Sequence, residues 1–231
     1  MAFRYNITGM EELKNIALAD LVLIVSFSLS FSGGMAGVAA SGGIDTFLYY
    51  LPIAALAVTL SFVLHELMHK FVAQHYGAIA GFQTSMNGLV ITLITGMFGF
   101  LIGIPGATVI YASHFTKKEN GIVSLAGPLT NFVVFAVFFA LLFFFNPAST
   151  SYLYAALMFT ISISILLAFF NMLPIWPLDG SKILAWNKPV YFAVIGVIFV
   201  LIMLFNIISL WSIALMLAIA LLFSTVYRFA L

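Results

Sequence analysis

The sequence predicts an all-α, polytopic membrane protein with about six transmembrane helices and one re-entrant segment. Three observations carry that expectation. Of 231 residues, 64% are hydrophobic and 6% charged, with a mean hydropathy of +1.21, whereas a soluble domain carries about 25% charge. Apolar runs long enough to cross a bilayer recur along the chain, and only helices and closed barrels satisfy their backbone in lipid. The third is the placement of the basic residues.

Apolar segments fall near 16–40, 48–73, 88–112, 122–145, 152–173, 190–206 and 208–228. The first follows Thr8 and Glu11, a Thr-x-x-Glu capping box that starts a helix. Its flank is not positive, because Arg4 and Lys14 are balanced by Glu11 and Glu12. It therefore reads as a retained anchor rather than a cleaved signal peptide.

Short cytoplasmic loops concentrate Lys and Arg. With the N-terminus inside, loop 41–47 lies outside without a base, and the second segment returns to Lys70. If 88–112 crossed once, Lys117, Lys118, Lys182, Lys188 and Arg228 would all lie outside. If it enters and leaves on one side, all eight basic residues are cytoplasmic and both termini are too. The segment carries Gly88, Gly96, Gly99, Gly103, Pro105 and Gly106, a composition that suits a β-hairpin or a broken helix. Irregular backbone at membrane depth must be buried in protein or line a water-filled cavity. No long polar tract is present, so the expectation is one membrane domain over 1–231 without a sizeable soluble part.

Net charge is +1 with eight bases and seven acids, too few to make a nucleic-acid patch. Zero cysteines exclude disulfides and thiolate metal sites, which leaves His, Asp and Glu as metal ligands. Against this background HELMH, residues 65–69, closes the second apolar run. Ionisable groups at membrane depth are costly and point to function. His65 and His69, at i and i+4, share a helix face and can converge on one ion. Glu66, rotated about 100° away, can reach water beside that ion without ligating it. Two imidazoles suit Zn²⁺, and a catalytic site needs a third protein ligand and an open position.

Glu11, Glu12, Asp20, Asp45 and Glu119 lie near span ends or in loops, with Asp20 one turn into the first span and still in reach of the interface. Asp179 stands apart in NMLPIWPLDGSK, residues 171–182. Pro174 and Pro177 end the fifth segment as a regular helix, and Gly180 frees the backbone beside the acid. A broken helix bearing a carboxylate is a common ion site at membrane depth. His65 lies 17 residues beyond Leu48, about 26 Å at 1.5 Å per residue, which puts it toward the cytoplasmic side, where Asp179 also falls. His75 and His114 read as solvated surface histidines.

HELMH together with NMLPIWPLDG resembles the site-2 protease family of intramembrane zinc metalloproteases, through His65, Glu66 and His69 and through Asn171, Pro174, Asp179 and Gly180. SLAGPLTN, residues 124–131, is similar to that family's A-G-P segment, and the likeness covers about residues 48–188. The resemblance implies one zinc per chain held by His65, His69 and Asp179, with Glu66 as acid/base and Asn171 near the substrate backbone or oxyanion. It implies cleavage of peptide bonds within or near transmembrane segments of membrane-protein substrates. It also implies a membrane-dipping β element after the metal helix. A second glycine common after D-G is here Ser181, and the soluble PDZ or paired regulatory domains of some members have no counterpart. The rival readings are a zinc-binding or zinc-transporting membrane protein and a pseudo-protease. Transport would want more ligands along a path than these spans offer.

Overall fold

The computed structural model describes residues 9–40, 42–112, 114–206 and 218. Thr8 of the capping box, Arg4, the segment 208–228 apart from residue 218, and Arg228 lie outside the described residues.

The chain is mainly helical. Helix α1 (Gly9–Phe31) and the short α2 (Gly34–Ala39) are followed by α3 (Gly43–Val58), which continues through a π-helical turn (Thr59–Val63) into α4 (Leu64–His75). Strand β1 (Ile79–Thr84), helix α5 (Met86–Met97) and strand β2 (Gly106–Tyr111) come next. Helices α6 (Lys117–Phe145), α7 (Tyr152–Asn171), α8 (Asp179–Trp186) and α9 (Lys188–Phe205) complete the order. Among the described residues five helical stretches are long and apolar enough to cross a membrane: Gly9–Phe31, Gly43–His75, Lys117–Phe145, Tyr152–Asn171 and Lys188–Phe205. The protein is an integral membrane protein.

The ends follow local rules. Thr116 and Glu119 form a reciprocal capping box at the start of α6. Ser85, Ser151 and Asn187 accept from the first free N–H groups of α5, α7 and α9. Asn146 and Asn206 close α6 and α9 in the left-handed conformation.

The first apolar run is not one helix over 16–40. Gly33 and Gly34, at φ 80° and 71°, break it after Phe31. The segment 88–112 also differs in detail from a self-contained hairpin. Its strand, β2, pairs antiparallel with β1, upstream of the segment, from Ile79↔Tyr111 to Thr84↔Gly106. The intervening residues 85–105 contain the 12-residue helix α5, about 18 Å long against a hydrocarbon core of about 30 Å. Because the strands are paired, this excursion begins and ends at the same place.

Among the described residues three apolar clusters hold the bundle, the smallest of them Ala73, Ala78, Ala80 and Val123 between α4, β1 and α6, and two are larger. One joins α6, α7, α8 and α9 around Phe135, Ile161, Ile165, Met172, Ile183 and Ile198. The other packs α1 against α3, the π turn, β1 and α5 through Leu23, Val58, Phe62, Phe82 and Leu89. Helix α4 bridges them by packing along α6.

Candidate metal centre

Helix α4 presents His65 and His69 one turn apart on its buried face, with relative exposures of 1% and 7%. Asp179, 7% exposed, is the first residue of α8. The loop before it, 172–178, is irregular around Pro174 and Pro177. At Gly180 a Cβ would lie 2.1 Å from the Met172 carbonyl, so only glycine lets the loop fold back and aim the aspartate.

The three side chains form a tight triangle. His65 Nε2 and His69 Nε2 are 3.0 Å apart, and Asp179 Oδ2 is 3.5 Å from the first and 3.1 Å from the second. Their hydrogen bonds settle the tautomers. Asn131 Nδ2 donates to the Ser61 carbonyl at 2.9 Å, so Asn131 Oδ1 is the atom that faces His65 Nδ1 at 2.6 Å. An amide oxygen only accepts, so His65 carries its proton on Nδ1. His69 Nδ1 likewise donates to the Val123 carbonyl at 2.8 Å. Both Nε2 atoms therefore face each other and a carboxylate oxygen. Atoms this close require a proton or a metal cation between them.

Zinc fits this donor set. Ligands at about 2.0–2.1 Å in a tetrahedron are about 3.3–3.4 Å apart, and the observed edges bracket that figure. The approach is kept open by Gly127 of α6, where a Cβ would stand 2.5 Å from both Nε2 atoms. Among the described residues His65, His69 and Asp179 are the group of His, Asp and Glu able to hold a metal, and three ligands leave the fourth position that a catalytic site needs. Lys182 Nζ lies 3.5 Å from Asp179 Oδ1, one turn on.

Glu66 projects from the same helix toward the sheet. Thr108 of β2 donates its N–H and its hydroxyl to Glu66 Oε2 at 2.9 and 2.8 Å. Asn171 ends α7, and its Nδ2 donates to Leu167 of its own helix at 3.1 Å rather than to the triangle. His75 and His114 are exposed.

One acid sits differently from its sequence reading. Asp20 does not reach out to the interface: its Oδ2 accepts from Thr59 in the π turn at 2.7 Å, and its Oδ1 is buried without a partner. Glu12 lies near the span end, as expected, but is buried there, paired with Lys70 and with the Phe82 N–H. The sequence reading also passed over Asn131, Val123 and Thr108. Asn131 has a signal, being an amide in the apolar run that follows it to Phe145; the other two have none beyond their position.

Membrane helices enclosing a buried His–His–Asp cluster, with a glutamate one residue from the first histidine, define a membrane protein with a candidate metal centre. The comparisons agree. The model of peptidase family M50 matches residues 146–203, the quarter of the chain that carries Asn171 and Asp179. Three curated relatives share the name "Putative zinc metalloprotease". That of Methanocaldococcus jannaschii is 44% identical over 63% of this chain and 75% of its own. That of Bacillus subtilis is 30% identical over 61% and 73%, and that of Mycolicibacterium smegmatis 29% over 72% and 70%. The chain belongs to peptidase family M50, the site-2 protease family, and its cofactor is zinc. No solved structure matches it.

Proposed function

We propose that this metalloprotease hydrolyses peptide bonds within or near transmembrane segments of membrane-protein substrates. The observation that carries the reading is the buried triangle of His65, His69 and Asp179 inside helices apolar enough to cross a bilayer. Those three residues would hold one zinc ion, which when bound acidifies a water molecule and polarises the scissile carbonyl.

The protein groups supply the rest. Nδ1–H bonds to Asn131 and Val123 keep both imidazoles facing inward as neutral donors. Glu66, adjacent to the cluster but not in it, takes the proton of the attacking water and delivers it to the leaving amine. Asn171, a short loop before Asp179, is assigned to the substrate backbone or oxyanion once its amide swings away from Leu167. Gly127 keeps the site free of protein bulk.

A transmembrane substrate helix must unwind to expose its carbonyl. Strand β2 offers an outer edge for strand addition, beside the helix that carries Glu66. In this reading residues 85–105 are a re-entrant excursion, the chain makes about six crossings, and both termini and the active site lie toward the cytoplasm. Residues 1–231 act as one membrane domain with a core at 48–188.

The test is Glu66→Gln, which keeps shape and polarity but removes the base. It should retain zinc at the parental stoichiometry and still bind a membrane-spanning test substrate, while cleavage falls by about 10²–10⁴-fold. Cleavage near the parental rate would dismiss Glu66 as the base. Inactivity accompanied by loss of zinc would make Glu66 a ligand and favour a zinc-binding or transport role.

A further inference from the structure

The hydrogen bonds made to the Glu66 carboxylate converge on one oxygen. Thr108 gives Oε2 both its N–H, at 2.9 Å, and its hydroxyl, at 2.8 Å, and the Glu66 carbonyl lies 3.0 Å from the same hydroxyl as an alternative acceptor.

The sheet register explains why this residue is available. In an antiparallel pair, facing residues alternate between exchanging their N–H and C=O groups and turning them outward. Phe82↔Thr108 is an outward-turning pair. On the β1 side the Phe82 N–H leaves the sheet to meet Glu12 Oε1 at 3.2 Å, and on the β2 side the Thr108 N–H leaves it to meet Glu66. Gly106 and Ile110, two residues to either side, turn outward by the same alternation. Thr108 is thus the strand position committed to the glutamate.

We propose that Thr108 is a positioning residue for the reaction. Its N–H and hydroxyl clamp Oε2, fix the rotamer of a side chain with three free torsions, and leave Oε1 as the atom that exchanges the proton. This rests on reading Glu66 as the base. The hydroxyl is the testable half, because the N–H belongs to the backbone. Valine keeps the β-branched shape that suits a strand but cannot donate, whereas serine keeps the donor.

Thr108→Val, Thr108→Ala and Thr108→Ser are to be compared as full-length, zinc-loaded proteins on one membrane-spanning substrate. For Val and Ala the expected result is a kcat lower by about 10- to 100-fold, with KM, zinc content and melting temperature at parental values. Ser should restore kcat. A second readout is independent of turnover: the infrared carboxylate band assigned to Glu66 by subtracting the Glu66→Gln spectrum should shift in Val and Ala and stay in Ser. Parental kcat in Val and Ala, a loss carried by KM alone, an unmoved band, or loss of zinc or fold in both variants would each overturn the proposal. Parental cleavage by Glu66→Gln would overturn the base assignment together with this one; any of the other failures removes Thr108 alone.

Discussion

Asn131 and the Val123 carbonyl engage Nδ1 of each imidazole and so turn both Nε2 atoms toward Asp179. Removing a ligand and removing its support should differ in kind. His65→Ala, His69→Ala and Asp179→Ala each leave two ligands and should purify without stoichiometric zinc. Asn131→Ala leaves all three but lets the His65 ring turn, so zinc should bind about 10–100-fold more weakly, as read by chelator competition. Parental zinc affinity in Asn131→Ala would show that packing alone orients His65. The difference also explains what the sequence reveals at this scale. His65, His69 and Asp179 stand out because charge is costly in an apolar run. Asn131 reads equally well as polar glue between helices. Thr108 is an ordinary strand residue, and Val123 contributes only a carbonyl that no side chain announces.

At the scale of elements, hydropathy located four of the five long helices to within about five residues, because length and apolarity are what a bilayer selects, while the first helix, Gly9–Phe31, begins and ends well before the run 16–40. It did not resolve the interruptions. Gly33 and Gly34 break the first run where composition alone stays apolar, and the partner of β2 lies outside the apolar segment, in Ile79–Thr84. A hairpin is legible when its strands adjoin a short turn; here a helix, α5, is inserted between them. The paired strands support a segment that returns to the side it left, and this can be tested because the chain has zero cysteines. Single cysteines at Gln74 and Lys117 bracket the excursion, and one at Thr46 lies across α3 and α4 from them. Impermeant reagent should label Gln74→Cys and Lys117→Cys from one side and Thr46→Cys from the other. Labelling of Gln74→Cys and Lys117→Cys from opposite sides would make 85–105 a crossing and undo the charge argument for the cytoplasmic termini.

Over the whole molecule, the candidate site groups come from α4 and α8, far apart in sequence, and the N-terminal helix braces α4 against the sheet. Glu12 of α1 meets Lys70 of α4, next to His69, while its Oε1 accepts the Phe82 N–H on the outer edge of β1. The same carboxylate therefore links the metal helix, the sheet and the first span, and it blocks the β1 edge from strand addition. The two sheet edges end on two glutamates with different work: Glu12 closes one edge, and Glu66 sits beside the edge that faces the metal helix. Glu12→Ala should orphan the Phe82 N–H, in a residue only 1% exposed, at a cost of about 1–3 kcal/mol. It also leaves Lys70 unpaired. Glu12→Gln keeps an oxygen for the N–H and loses the charge, so it should fall between. Melting temperatures in one detergent should order parent above Gln above Ala. The brace reading fails if Glu12→Ala melts with the parent, for then the apolar contacts of α1 with α3 and α5 hold the sheet in place without it.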